Sequence, residues 1–190
     1  MIVWEWYEHR RLKLLANGVE GDVLDIGYAE KPNCYFGEEA NVTGIDLVHA
    51  PPVAGYQKQL VGDFRDCPEL AGDRFDCVVA GEVIEHVEDP YGFLRSTHDR
   101  LRVGGFLKLS TPNPLGFPAF VYEWSRSEKR FYAHDHTFYF TPRWVIRMLE
   151  RAGYTGIGLK AVGLWLPGVP IPYSPISASY QVVYTACRSS

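Results

Sequence analysis

The sequence predicts an α/β fold in which a mostly parallel, seven-stranded sheet carries helices on both faces. Apolar, strand-like runs alternate along the chain with helix-like segments, which is the pattern that a parallel sheet with crossover helices requires. The chain has 190 residues, of which 46% are hydrophobic, enough for one globular domain with a substantial core. We therefore expect a single domain over residues 1–190.

The first helix and the strands are bounded by local start and stop signals. Residues 4–16 predict an opening helix, which Asn17-Gly18 would end. Runs rich in β-branched and apolar residues predict the seven strands. They lie near 22–27, 42–46, 57–61, 75–80, 105–110, 155–161 and 179–186.

Two later segments predict helices that begin at a proline. Pro90 to Leu101 follows Asp89, an acceptor suited to the N-cap position. Pro142 to Ala152 follows Thr141 in the same way and would stop at the next residue, a glycine. Helices are thus expected on the connections around the fourth and sixth strands.

Two other connections are too short or too rich in proline for a helix. The link from Gly27 to Val42 is short, and Ala50-Pro51-Pro52 interrupts the link between the second and third strands. We expect a trimmed version of the fold.

Composition limits the partners and the compartment. A net charge of -4 and the lack of a Lys/Arg block argue against a nucleic-acid surface. The four cysteines show no C-x-x-C spacing, and Cys77 lies in an apolar strand, as a reduced, buried thiol would. The N-terminal residues 4–11 are too charged for a signal peptide. We expect a cytoplasmic protein.

The segment from Ala161 to Cys187 contains no charged residue, but it does not predict a membrane span. Its four prolines would break a spanning helix repeatedly. We expect a loop that leads into a buried strand, Tyr180 to Ala186, with Trp165-Leu166-Pro167 as a tip that could touch lipid or an apolar substrate. Residues 161–178 could also form the contact of a homodimer.

Two strand ends point to a nucleoside-containing cofactor. Val23-Leu24-Asp25-Ile26-Gly27 is an apolar strand ending in glycine, and Asp46 lies at the tip of the next strand. The glycine allows close approach of the backbone to a ligand, and a tip carboxylate can accept hydrogen bonds from both ribose hydroxyls. A turn or helix-cap role is the plainer alternative for Asp46.

The loop after this strand disfavours a dinucleotide. Gly27-Tyr28-Ala29-Glu30-Lys31-Pro32 does not supply G-x-G-x-x-G, and Glu30 would repel a pyrophosphate. A cofactor with a ribose and no phosphate fits better, which indicates S-adenosylmethionine (SAM). A nicotinamide-dependent reductase remains a weaker alternative.

Several segments in order resemble the class I SAM-dependent methyltransferases over about residues 20–155. They include Val23–Gly27, Thr43–Asp46, Gly62-Asp63-Phe64, Glu82–Pro90 and Leu101–Gly105. Among these enzymes, the nearest pattern is that of the ubiquinone-biosynthesis O-methyltransferases. The resemblance implies a Rossmann-like class I methyltransferase fold and methyl transfer from SAM to a small molecule, at an oxygen.

The resemblance also implies which residues bind the cofactor. Asp25 would organise the amino-acid end of SAM, Asp46 the ribose, and Asp63 with the Phe64 backbone the adenine. Gly81 and Glu82 would lie near the sulfonium. The expected cofactor site is completed by Gly27 and by the residues Tyr28 and Leu47, which follow the first glycine and the ribose acid.

One departure from the family leaves an alternative open. Its members usually carry G-x-G-x-G after the first strand, whereas this chain has only Gly27, with Tyr28 and Ala29 crowding the loop. The alternative is a catalytically inactive binding protein on the same scaffold.

The spacing of Glu82, Glu85, His86 and Asp89 would place all four on one face of a helical turn. The ubiquinone-biosynthesis enzymes resemble this segment in using Glu-x-x-Glu-His for a metal. Many relatives, however, carry the His-Val-x-Asp-Pro sequence without one. We expect no metal.

Three histidines are candidates for a general base, because methyl transfer to a hydroxyl requires removal of its proton. They are His86, His134 and His136, with Asp135 between the last two. A structural role is the alternative for each. The aromatic segment 111–140 is expected to form a substrate lid, or else a small core that packs onto the sheet.

Overall fold

The main sheet has seven strands: β1 Gly21–Ile26, β2 Ala40–Asp46, β3 Tyr56–Val61, β4 Phe75–Gly81, β5 Leu101–Pro112, β6 Tyr154–Ala161 and β9 Gln181–Arg188. They lie side by side in the order β3-β2-β1-β4-β5-β9-β6. A computed structural model describes residues 3–116, 136–166 and 169–189. Strands β1 to β5 pair in parallel, and β9 runs antiparallel to its neighbours β5 and β6. The predicted mostly parallel seven-stranded sheet is confirmed.

Helices cover both faces of this sheet, as predicted. Helix α1 (Val3–Ala16) packs Tyr7 and Leu15 on one face. Helices α2 (Pro90–Arg100) and α3 (Pro142–Arg151) pack on the other face, where the larger core lies. All three begin and end within one residue of the predicted bounds.

The two proline-led helices differ in how they begin. The Asp89 carboxylate accepts a hydrogen bond from the Gly92 amide at 2.9 Å, so the predicted cap of α2 is confirmed. Thr141 occupies the N-cap position of α3, but its side chain makes no capping hydrogen bond. Its carbonyl accepts from the amides of Trp144 and Val145 instead, so the expected side-chain cap was wrong.

The trimmed connections are confirmed, since residues 27–39 and 47–55 contain no helix. Aromatic side chains replace the missing helix over β1 and β2. The Tyr28 and Tyr56 rings lie 5.2 Å apart, and the Phe36 ring lies 6.1 Å from that of Tyr56. This packing takes the Tyr28 ring away from the loop in which the sequence placed it.

The uncharged segment contains more structure than the predicted loop. Strands β7 (Leu164–Leu166) and β8 (Val169–Ile171) form a small antiparallel hairpin. The Tyr7 hydroxyl donates to the Leu164 carbonyl and accepts from the Ile171 amide at 3.1 Å, which attaches the hairpin to α1. Strands this short give no periodic signal in the sequence.

Several predictions lie partly or wholly outside the described residues. Of the expected lid, only 111–116 and 136–140 are described, and His134 and the aromatic residues 117–132 are not. Pro167, in the tip predicted to touch lipid, also lies outside them. In the described ranges, no helix is long and apolar enough to cross a membrane.

Candidate active site

A cavity of about 180 Å³ opens where β1 and β4 end, beside helix α1. In open α/β sheets, this carboxyl edge of the strands is where ligands bind. The residues that line the cavity include Arg11, Gly27, Gly81, Glu82, His86 and Gln181.

Two glycines allow the walls of this cavity to approach each other. Gly27 has φ +77°, and a Cβ there would lie 2.5 Å from the Val83 Cγ2 atom. A Cβ on Gly81 would lie 2.8 Å from Arg11 Nη1 and 2.9 Å from Leu15 Cδ1. Gly27 and Gly81 therefore line the cavity at positions where a side chain would collide with its neighbours.

Tyr28 does not crowd the loop after Gly27, which corrects the sequence interpretation. Its side chain is 2% exposed and lies under β2 and β3, where its hydroxyl accepts from Gln59 Nε2 at 3.0 Å. Gly44 makes room for the ring, since a Cβ there would lie 2.8 Å from Tyr28 Cδ1. Only the backbone of Tyr28 remains near the cavity's glycine.

Asp25 is buried behind this loop, with the Tyr56 hydroxyl donating to its carboxylate at 2.5 Å. Burial raises the pKa of the Asp25 carboxyl to about 7, and the Tyr56 hydrogen bond and the nearby Arg11 charge oppose that increase. The Asp25 carboxyl is thus a hydrogen-bond acceptor that joins the end of β1 to the start of β3.

The Asp46 carboxylate accepts hydrogen bonds from two backbone amides, one in the loop after Gly27 and one in the turn that follows Asp46 itself. Its Oδ2 accepts from the Ala29 amide at 2.8 Å and its Oδ1 from the Val48 amide at 3.2 Å. Each carboxylate oxygen can accept a second hydrogen bond, so a ribose diol can still be bound. Leu47, Val48 and Val61 lie exposed near it and offer an apolar surface.

Asp63 and Phe64 have partners within the protein. The Asp63 carboxylate accepts from the Arg65 amide and from its guanidinium, which lowers the pKa of Asp63. The Phe64 side chain is buried against Phe93 in the core, with ring centroids 5.5 Å apart. Any contact of Phe64 with adenine must therefore come from its backbone, as the sequence analysis assumed.

Arg11 is a cavity residue that the sequence analysis missed. It is 6% exposed, and its Nη1 donates to Ser110 Oγ at 3.4 Å. Within the described part of the chain, Arg11 forms no ion pair. The sequence did contain a signal for this residue. Arg11 lies between Tyr7 and Leu15 on the buried face of α1, where an arginine requires a polar partner.

Glu82 has a left-handed backbone, with φ 60°. Its side chain accepts from Ser110 Oγ at 3.0 Å and from Gln181 Nε2 at 2.7 Å. A non-glycine residue held in this region stores strain, which is common at functional sites.

The predicted helical face over Glu82, Glu85, His86 and Asp89 does not form. Residues 82–89 make turns instead of a helix, and the Asp89 side chain caps α2. The Glu85 carboxyl is 1% exposed, and its burial beside Glu82 raises its pKa well above the usual range, although the nearby Thr111 hydroxyl opposes part of that increase.

His86 instead meets a histidine from a much later part of the chain. The His86 and His136 ring centroids lie 4.7 Å apart. The amides of Thr137 and Phe138 donate to the Glu85 carbonyl at 2.8 and 3.1 Å, which holds the two segments together. Two of the three candidate bases therefore lie at one end of the cavity.

Comparison with known proteins agrees with this geometry. Residues 5–158 match the methyltransferase domain family. The chain belongs to that family. The ubiquinone biosynthesis O-methyltransferase of Cereibacter sphaeroides is 32% identical over 185 residues, which cover 90% of this methyltransferase and 68% of the relative. The enzyme of the same name from Ruegeria pomeroyi is 32% identical over 165 residues, 78% and 62% of the two chains.

Solved structures share the fold of this methyltransferase. A SAM-dependent methyltransferase of Thermotoga maritima, a possible histamine N-methyltransferase, superposes with a TM-score of 0.71 at 19% identity, covering 98% of this chain and 91% of the other. The 1,6-didemethyltoxoflavin-N1-methyltransferase of Burkholderia thailandensis, solved with bound 1,6-didemethyltoxoflavin and S-adenosylhomocysteine, superposes with a TM-score of 0.66 at 20% identity, covering 96% of this chain and 79% of the other. The protein is thus a methyltransferase whose fold is that of SAM-dependent methyltransferases.

The residues of this methyltransferase fit SAM. The cavity offers a buried guanidinium, Arg11, for a carboxylate, and the tip acid Asp46 has acceptor capacity left for a ribose. Exposed Leu47 and Val61 suit the face of an adenine. The crowding expected from the missing glycines does not arise at Tyr28, because its side chain leaves the loop.

Proposed function

We propose that this methyltransferase transfers the methyl group of SAM to a hydroxyl oxygen of a small molecule. The observation that carries the proposal is the His86–His136 pair, which lies beside Gly81 and Glu82 at one end of the cavity. Imidazoles titrate near neutrality and can take the proton that a hydroxyl loses on methylation.

The cofactor is assigned to the cavity in three parts. Arg11, which lines the cavity, binds the methionine carboxylate. Asp46, at the end of β2 beside the cavity, binds the ribose hydroxyls, and the exposed apolar surface around Leu47 binds the adenine. Asp25 lies deeper and positions the loop that follows Gly27 through Tyr56, whose hydroxyl donates to Asp25 and accepts from the Asn33 amide of that loop. This arrangement directs the methyl group toward Gly81, Glu82 and the histidines.

Methyl transfer requires alignment more than covalent chemistry. The oxygen–carbon bond forms as the sulfur–carbon bond breaks, and the hydroxyl proton passes to the histidine pair. A held geometry and a dry site supply most of the acceleration. Glu82 contributes by its fixed position, since Ser110 and Gln181 hold both of its oxygens.

The relatives support oxygen as the acceptor atom, because those with 32% identity are named O-methyltransferases. The chain spans about two-thirds of the length of these relatives. The class of acceptor is therefore a proposal, which the following experiment tests.

A panel of matched acceptors tests the proposal. The protein is incubated with methyl-labelled SAM and pairs of phenols, catechols and the corresponding anilines, and the products are identified by mass spectrometry. We expect label on oxygen. Transfer to the aniline nitrogen with no transfer to the hydroxyl partners would contradict the assignment.

Asp46→Ala tests the ribose assignment. Loss of an acceptor for two hydroxyls should weaken S-adenosylhomocysteine binding by about 1–3 kcal/mol, roughly 5- to 150-fold in Kd, measured by calorimetric titration. Asp99→Ala is the matched control, because Asp99 is an exposed carboxylate on α2 outside the cavity. Equal affinities for wild type and Asp46→Ala would refute the role.

A further inference from the structure

A second groove, with a volume of about 490 Å³, is bordered by helix α1, the end of β6 and the segment after β8. We call it the α1–β6 groove; it is lined by Arg10, Leu14, Lys160, Ala161 and residues 172–175. We propose that this groove binds a small organic anion, a carboxylate or a phosphate ester with a flat apolar body. No described residue lines both this groove and the cofactor cavity, so the proposal goes beyond the proposed function.

The charges that line the α1–β6 groove are all positive. Arg10 and Lys160 supply them, and among the described residues neither forms an ion pair. The whole chain has a net charge of -4, so these two cations reverse the sign of the charge locally. A groove lined by charges of one sign concentrates ligands of the other sign.

The Arg10 guanidinium is held in place before any ligand arrives. Its Nε donates to the Val162 carbonyl at 2.7 Å and its Nη2 to the Pro172 carbonyl at 2.9 Å. Its central carbon lies 5.7 Å from the centroid of the Trp6 ring. The two carbonyls use only part of its N–H donors, so others remain for a carboxylate or phosphate. A group that is already ordered binds an anion at a smaller entropic cost.

Ser174 provides an independent reason to expect a ligand. It lines the groove, and its Oγ is buried without a hydrogen-bond partner in the ranges that the structure describes. A buried hydroxyl without a partner is costly, because it has lost the hydrogen bonds that it makes in water. An oxygen of a bound anion would accept a hydrogen bond from it.

A buried lysine adds to the positive potential of this region. Lys108 on β5 pairs with Thr185, and Lys160 on β6 pairs with Val183, so both lysines lie on the same face of the sheet. Lys108 is 6% exposed, and its burial together with the charge of Lys160 lowers its pKa. An anion beside Lys160 would reduce this repulsion between the two lysines.

The rest of the groove is apolar, which favours an organic anion over an inorganic ion. Leu14, Ala161 and two proline rings line it, and Tyr173 lies at its surface with a side chain that is 85% exposed. Small-molecule sites typically combine such apolar walls with a few polar groups that fix the orientation of the ligand. A flat apolar body would cover these walls and offer the Tyr173 ring a stacking partner.

A titration of the ¹⁵N-labelled protein, followed by NMR, tests the proposal. The probes are benzoate and phenyl phosphate, with benzyl alcohol as the neutral analogue and inorganic phosphate as the anion without an apolar body. We expect at least one organic anion to bind with a Kd of about 1 mM or tighter, and to shift the amide signals of Lys160 and Ser174. Benzyl alcohol and inorganic phosphate should bind about tenfold more weakly or not at all. The tighter of the two organic anions identifies the preferred head group.

Two variants with the same change of charge locate the site. Lys160→Glu should weaken binding of the organic anion by about tenfold or more, because it replaces attraction by repulsion. Lys13→Glu is the matched control, since the Lys13 Nζ lies 5.0 Å from the centroid of the Tyr35 ring and does not line the groove. Ser174→Ala, which removes only the hydroxyl, should weaken binding by about fivefold.

Three results would overturn the proposal. They are equal weakening in Lys13→Glu and Lys160→Glu, unchanged binding in both Lys160→Glu and Ser174→Ala, and binding of benzyl alcohol as tight as that of the anions. Displacement of the anion by saturating S-adenosylhomocysteine would also overturn it, because the anion would then occupy the cofactor cavity beside Arg11. Titration of S-adenosylhomocysteine alone shows separately whether the cofactor assignment holds.

Discussion

Arg11→Ala should reduce the affinity for S-adenosylhomocysteine by about 30-fold or more, since truncating one partner of a buried, hydrogen-bonded charge pair costs about 2–5 kcal/mol. The guanidinium is 6% exposed, lines the cavity with Gly27 and Gly81, and forms no ion pair within the described residues. Asp25 and Glu85 feel the charge of Arg11 but form no ion pair with it, so we assign the carboxylate of the cofactor as its partner. Calorimetric titration measures the loss.

A truncated ligand makes the assignment to the carboxylate specific. 5′-Methylthioadenosine lacks the amino-acid part of the cofactor, so wild type and Arg11→Ala should bind it equally. Arg10→Ala is the matched control on the same helix. Arg10 donates to the carbonyls of Val162 and Pro172, outside the cavity, so its loss should lower stability and leave cofactor affinity unchanged. If Arg11→Ala loses the same affinity for both ligands, Arg11 does not bind the carboxylate, and the substitution acts by disturbing the fold.

Asp25→Asn should gain stability relative to wild type as the pH rises from 5 to 8, by up to about 3 kcal/mol. The pKa of the buried Asp25 carboxyl is raised to about 7 in the folded protein, against about 3.9 when unfolded. Between these values the folded state binds more protons, so the stability that protonation of Asp25 provides is lost as the pH rises through the folded pKa. The amide of asparagine has no such titration and can still accept from Tyr56.

Urea unfolding at pH 5 and pH 8 measures this difference. Asp22→Asn is the control on the same strand, because Arg102 and Asn41 lower the pKa of Asp22. Its contribution is lost only as the pH falls through that lowered pKa, so Asp22→Asn should not change the dependence between pH 5 and 8. If the free energy of unfolding of the wild type does not fall relative to that of Asp25→Asn between pH 5 and 8, the raised pKa of Asp25 is contradicted.

The sequence predicted elements whose signals are local. Strand periodicity, the glycine after helix α3 and the proline after Asp89 each act within a few residues, and the corresponding elements are present. The β7–β8 hairpin was missed because its strands are very short and depend on Tyr7, at the other end of the chain, for attachment. The Thr141 cap was wrong because a favourable residue type at a position does not determine its rotamer.

The same distinction between local signals and distant contacts applies to the residues of the candidate site. Gly27, Asp46 and Gly81 could be identified from the sequence, because a strand end fixes where its next residue lies, and parallel strands end at one edge. Arg11 could not, because helix α1 reaches that edge only through packing on the sheet. From the sequence, Tyr28 was expected to crowd the loop after Gly27. Only the structure shows that its ring packs over Gly44 instead.

By itself, then, the sequence determined the order of the strands along the chain, the cofactor edge and the class of chemistry, since these follow from local patterns and short spacings. The tertiary structure alone decided that Glu82 turns toward Ser110 and Gln181, that Glu85 is buried, and that His136 returns from a distant segment to meet His86. Side-chain direction in irregular turns depends on contacts with distant segments. No periodicity along the chain encodes those contacts.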